Sequence, residues 1–218
     1  MYLIKIIIFI FYFSSICLSN SVSYLEIVGQ EKELLSNWKI ETNENISIIS
    51  GNTLLDYIYI ETLSGSTTLW KNKRKHEDSE ITAIRKKDKI IITGTKNNEP
   101  IKKEFSIGNY PWFQTPGFLL EPFARSNKES MQFIMLRITN HNPLLMEIKK
   151  DKEEKIIIND TEYLCIKTYI YPASFLKIFW KSPMWFNKKT GKILKYDGLI
   201  SGPGSDSFQI TYSNKKKK

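Results

Sequence analysis

Apolar and polar residues alternate along most of this chain with a period of two, the repeat of a half-buried strand rather than of a helix. The stretch Leu54 to Thr62 reads LLDYIYIET, with Tyr57, Tyr59 and Glu61 alternating with Ile58, Ile60 and Thr62. Further short segments of the same kind are Val22–Val28, Trp38–Glu41, Ile46–Ile49, Lys89–Thr93, Ile101–Ile107, Leu144–Lys150, Tyr163–Tyr171 and Phe208–Tyr212. Gly51-Asn52, Ser64-Gly65-Ser66, Lys96 to Pro100 and Asn140 to Pro143 separate them with turn-forming residues. Strand, polar turn and strand in succession predict an antiparallel meander. Met131 to Thr139 is apolar on both faces and reads as a central strand, and the charged run Lys150 to Lys155 reads as a turn. Val22 to Trp38 admits a helix, with Leu34 and Leu35 on one face with Glu31, and Gly117 to Arg125 admits a short helix or helical turn.

Asn109 to Ser126, NYPWFQTPGFLLEPFARS, breaks the alternation. Its prolines oppose a ladder, yet it is dense in large apolar residues. Trp112, Phe113, Phe118, Leu119 and Phe123 must therefore cover something apolar, because an exposed loop of that composition aggregates. Two readings are open: a plug closing one end of the core, or a lid over a ligand cavity. Trp180 or Trp185 is expected to pack near the segment, and the lid reading depends on it. The fold class that follows is mainly β: a single antiparallel meander sheet curled into a half-open barrel, with a short helical or irregular aromatic segment covering one side.

Composition narrows the setting. Residues 1–20 have the order of a secretory signal peptide: Lys5, the unbroken apolar run Ile6–Phe13, then small residues. The run is shorter than the ~20 residues of a membrane span. An uncleaved anchor is the alternative. This divides the chain into a leader (1–20), one β domain (21–214) and a basic tail (215–218), with an exported location, periplasmic or extracellular. The formal charge of +9 becomes 31 − 23 = +8 once Lys5 is removed, and Lys215–Lys218 carry half of it. The tail is a candidate for contact with an anionic membrane surface or, more simply, a solvated end. No nucleic-acid module is visible. Cys165 stands alone after the leader and sits in an alternating strand, where a thiol is a small core hydrophobe.

The closing stretch Phe175 to Tyr196 carries Trp180 and Trp185, followed by a turn. Asn187 can bond the backbone ahead of it, and Gly191 supplies a positive φ, so Asn187, Thr190 and Gly191 read as a structural hairpin. Trp185-Phe186-Asn187-Lys188-Lys189-Thr190-Gly191 resembles the W-[FY]-[DN]-x-x-T-G closing hairpin of certain secreted bacterial domains of unknown function. Those domains are similar in shape to the periplasmic lipoprotein-carrier half-barrels. The resemblance implies a half-open antiparallel barrel around a helix or loop. In the carriers the concave face binds acyl chains.

Catalytic chemistry leaves no recognisable pattern. His76 lies in a charged loop and His141 in a turn, neither at metal-ligand spacing, and no nucleophile elbow occurs. Ser201 to Ser205 carries a proline between its glycines and lacks the run of amides that cradles a phosphate. No metal or other cofactor is expected. Three functions compete. The leading one is non-enzymatic binding of a hydrophobic or lipid-like ligand, with Trp112, Phe113, Phe118, Leu119, Phe123, Trp180 and Trp185 as cavity or lid residues. The second is a structural or interaction module of the cell envelope with a filled core, its partner another envelope protein. The third is an enzyme assembled from distant residues such as His141, Glu104 and Asp197.

Overall fold

The structure, a computed structural model, describes residues 18–29, 32–199 and 205–213. The tail and most of the leader lie outside those residues, as do Ser201 to Gly204. Among the described residues fourteen strands follow one another: β1 (Leu18–Val28), β2 (Lys32–Asn43), β3 (Ile46–Asn52), β4 (Asp56–Leu63), β5 (Ser66–Arg74), β6 (Ser79–Lys86) and β7 (Lys89–Lys96). Then come β8 (Glu99–Ser106), the helical turns α1 (Pro116–Leu119) and α2 (Glu121–Arg125), β9 (Ser130–Leu136), β10 (Pro143–Ile158) and β11 (Thr161–Pro172). A 3₁₀ turn at Phe175–Ile178 precedes β12 (Ser182–Asn187), β13 (Ile193–Leu199) and β14 (Ser207–Ser213).

All fourteen strands form one antiparallel sheet in the order β8-β7-β6-β5-β4-β3-β2-β1-β14-β13-β12-β11-β10-β9. Every pairing but one joins consecutive strands; the exception is β1 with β14. The sheet curls without closing, because β8 and β9 are edges and do not pair with each other. Two turns show how the sequence sets the hairpins. Asn97 and Asn98 both have positive φ, as do Asn159 and Asp160. That is the type I′ signature, whose twist matches the flanking strands and which asparagine and aspartate tolerate.

The concave face holds the main core. Trp38, Ile49, Ile60, Trp70, Ile81, Ile92, Met146 and Phe186 pack there with the residues of α1 and α2. A smaller cluster, Ile158, Cys165, Trp185 and Leu194, packs separately. Successive strand residues point to opposite faces. Met184 and Phe186 therefore face the main core, while Trp185 faces away.

Several sequence expectations differ from what is found. The described residues of Val22 to Trp38 form no helix: β1 runs to Val28 and β2 starts at Lys32, with Ser36 and Trp38 alternating inward, while Glu31 lies outside the described residues. Lys150 to Lys155 is no turn. β10 runs through it as a 16-residue strand, and a bulge between Lys150 and Lys152 absorbs the irregularity. Strand β9 is an edge rather than a centre. Both its faces are apolar because the segment before α1 covers it, a common way of protecting an edge. Finally, β1 starts at Leu18, inside the stretch read as leader. Leu18 to Ser21 are exposed, and burial begins at Tyr24.

Candidate functional site

The segment between β8 and β9 enters the concave side and is fastened at two ends. At its start, Thr67 N donates to Trp112 O (2.8 Å), Ile134 N to Pro111 O (2.8 Å) and Phe113 N to Ile134 O (2.9 Å). These bonds tie it to β5 and to the free edge of β9. Gln114, 9 % exposed, completes the tie. Its Oε1 accepts from Trp112 Nε1 (2.9 Å) and Leu136 N (3.0 Å), and its Nε2 donates to Leu136 O (3.0 Å). One amide thereby satisfies three polar groups that the aromatic packing would otherwise strand.

At its far end the segment meets the β12–β13 turn. Asn187 Oδ1 accepts from Lys189 N and Thr190 N, both 2.9 Å. Gly191 follows with φ +75°, and a Cβ there would lie 2.8 Å from Glu121 O and from Arg125 Cγ. The turn thus closes directly onto α2. Burial raises the Glu121 carboxyl to about 7, against the opposing pull of Lys192 and Arg125. Trp112 and Leu120 are fully buried, and Phe113, Leu119 and Phe123 nearly so. This is the geometry of a plug.

Between the plug and the sheet lies a cavity of about 210 Å³. Its floor is Thr115 to Phe118; Phe118 packs against Trp38 (ring centroids 4.9 Å) and Tyr24 (5.9 Å). Met135, Met146, Ile170, Met184 and Ile210 form much of the wall, with Trp180 beside them. The strand registers orient it. The β2–β3, β4–β5, β6–β7, β10–β11 and β12–β13 turns gather at the plugged end. The β1–β2, β3–β4, β9–β10 and β11–β12 connections gather at the other. Leu55 of the β3–β4 turn, Arg137 at the end of β9 and Trp180 before β12 line the cavity, so it reaches toward this second rim.

Polar groups cluster at that rim. Glu26 is 1 % exposed, accepts from Leu54 N (2.9 Å), and has its carboxyl raised by burial. Asp56, also raised chiefly by burial, pairs with Arg74 Nε at 3.2 Å. Two buried donors on residues lining the cavity, Arg137 Nε and Trp180 Nε1, have no hydrogen-bond partner among the described residues. Unpaired buried donors carry a desolvation penalty that an acceptor on a ligand, or a water, would relieve.

The predicted site residues therefore divide. Phe118 and Trp180 line the cavity. Trp112, Phe113, Leu119 and Phe123 build the plug beneath or beside it. Trp185 is on the opposite face, where its Nε1 donates to Glu154 Oε1 (2.5 Å) and Lys167 and Lys195 lie over its ring. Asn187, Thr190 and Gly191 are at the plugged end, away from the rim that Trp180 occupies. Sequence reasoning passed over Gln114, Glu26, Asp56 and Arg137; a lone amide within an apolar aromatic run was the available signal for the first. The suggested catalytic residues are not brought together. Glu104 pairs with Lys89 on β7 (2.6 Å), Asp197 bonds Gln209 on β14 (3.4 Å), and His141 is buried near Trp70 with its pKa lowered to about 4, first by burial and then by Lys96, Lys103 and Arg74.

No family model matches the sequence, and no curated protein matches it. Solved structures do. A β-barrel-like protein of the domain of unknown function DUF1849 from Brucella abortus superposes with a TM-score of 0.54 at 6% identity, over 88% of this chain and 95% of that one. The hypothetical lipoprotein YmcC from Escherichia coli K12 gives a TM-score of 0.40 at 9% identity, over 91% of this chain and 85% of its own. The first likeness shows a shared barrel-like β fold; the W-F-N-K-K-T-G turn gains no support from it.

Proposed function

We propose that the protein is a non-enzymatic binder of one slender apolar molecule, lipid-like in character, held between the plug and the concave face. The observation that carries this reading is the cavity itself. Its volume exceeds the ~150 Å³ of an apolar cavity that accepts benzene. It falls below the ~300–1,000 Å³ of pockets for drug-sized ligands. A single acyl chain or a part of one fits that range better than a whole diacyl lipid. Arg137 and Trp180 add donors for a carboxylate, ester or phosphate end, while the methionines of the wall adapt readily to chain shape. The same proposal places the protein outside the cytoplasm, with residues 1–20 as a leader. Burial starting only at Tyr24 is compatible with cleavage near Asn20.

The second reading is a structural or interaction module of the cell envelope; the cavity stands where that reading expected a filled core, and in it the cavity stays empty. The firm anchoring of the plug by Gln114 and Gly191 favours it. Native mass spectrometry of detergent-free protein, lipid extraction, and thermal shifts with dodecanoate separate the two. Expected results are a bound species and a rise in Tm; at a hundredfold excess over Kd the stabilisation is ~2.7 kcal/mol, or roughly 5–10 °C at this chain length. Ile210→Trp, which fills the cavity, should abolish the shift. No bound species together with no shift refutes ligand binding.

A further inference from the structure

We propose that the rim segment Phe175–Lys181 docks this protein onto an anionic lipid bilayer. Phe175, Ile178 and Phe179 are 73 %, 77 % and 67 % exposed, three large apolar side chains within five residues. Of the other exposed apolar residues, Ile46 and Leu63 oppose each other across β3 and β4 at the plugged end, as a pair rather than a trio, and Leu18 and Ile157 lie on β1 and β10. The segment is held in shape. Ser174 Oγ accepts from Leu176 N (3.3 Å), and Phe179 N and Trp180 N both donate to Leu176 O (3.0 Å). Trp180, 6 % exposed, anchors it inward against the cavity. The apolar face is thus presented rather than tucked away, at the rim toward which the cavity reaches.

Charge selects the occupant. A trough of about 410 Å³ beside the segment is lined by Lys149, Lys150, Lys177 and Lys181 against one acid, Asp151. Lys150 is committed inward: its Nζ donates to Ser126 O and lies over the Phe123 ring. Lys181 rests over the Tyr169 ring at 3.8 Å. Neither Lys149 nor Lys177 has an ion-pair partner among the described residues. Aromatic and aliphatic tips beside lysines are the chemistry of an interfacial anchor, where apolar groups enter the headgroup boundary and cations meet anionic lipid. A second copy of the chain fits less well. An isologous contact would set this basic trough against itself.

The docking rests on the rim residues and not on what the cavity holds. Vesicle co-sedimentation tests it, using the chain as it accumulates in the cell and vesicles of phosphatidylcholine with or without phosphatidylglycerol. The expected result is partition that rises with phosphatidylglycerol and falls with salt. Phe175→Ser/Ile178→Ser/Phe179→Ser should lower that anionic-dependent partition tenfold or more with an unchanged Tm. Lys177→Glu/Lys181→Glu should remove the phosphatidylglycerol preference. Replacing Lys215–Lys218 by serine should leave most of the partition in place. Any of these results overturns the proposal: a triple variant that binds like the parent, loss of binding through the tail substitution alone, or a concentration-dependent dimer abolished by the triple variant. Ligand-loaded protein that ignores vesicles defeats the docking alone; vesicle binding by protein without ligand leaves it standing.

Discussion

Replacing Gln114 by leucine removes one amide and strands three buried groups: the Trp112 indole N–H, the Leu136 N–H and the Leu136 carbonyl. Each unsatisfied buried group costs ~1–3 kcal/mol. The lower end applies, because leucine no longer has an amide to desolvate and the new methyls gain some packing. The net loss is therefore about 3 kcal/mol. At ~2–4 °C per kcal/mol for a chain of this size, Tm should fall by roughly 6–12 °C. Urea unfolding followed by tryptophan fluorescence measures the loss directly. A double-mutant cycle with Trp112→Phe, which removes the indole donor but keeps an aromatic ring, should show a coupling of about 1 kcal/mol. A loss below ~1 kcal/mol, or a cycle without coupling, would mean that the plug is held by packing alone and that the amide network is incidental.

Gly191→Ala combines a positive φ with a Cβ placed 2.8 Å from Glu121 O, so it should destabilise by ~2–3 kcal/mol in denaturant melts; a change under ~0.5 kcal/mol would detach the turn from the plug. The Glu121 carboxyl, raised by burial from the ordinary 4.5 to about 7, binds a proton more tightly in the folded chain, so its contribution is full below pH 4.5 and is lost as pH rises through 7. His141, lowered to about 4, acts with the opposite sign below 6.5. The stability of the parent minus that of Glu121→Gln should therefore decline from pH 4.5 to 7 in urea titrations at fixed temperature, and a flat difference would show that the carboxyl is not desolvated.

The strands were legible because period-two alternation is a local signal. Leu54–Thr62, Lys89–Thr93 and Tyr163–Tyr171 were each placed near their observed positions, and the meander followed from the turns between them. What failed was whatever depended on a distant neighbour. β9 looked central because apolar residues on both faces ordinarily mean sheet on both sides; here one side is the plug. Lys150 to Lys155 looked like a turn because charge density dominates a window of that length, whereas Lys152 pairs with Glu154 on a continuing strand and Lys167 reaches Glu154 from β11. The cavity could not be foreseen from its aromatics. Trp180 and Trp185 are five residues apart in sequence yet belong to different faces of the sheet. The polar rim was missed because Glu26, Asp56 and Arg137 come from three separate strands or strand ends.

The pairing of β1 with β14 has a kinetic consequence. Each half of the sheet is a chain of hairpins whose contacts are local and whose closure is entropically cheap. The seam between the halves is different: Ser23 opposite Ser213 closes a loop of 213 − 23 = 190 residues. Non-local pairing of this length is what slows β proteins. The two halves are thus positioned to form as separate meanders, joined at their outer edges through the plug, with the seam zipping last. Until it does, the inner edges of β1 and β14 stay open to pairing with another chain.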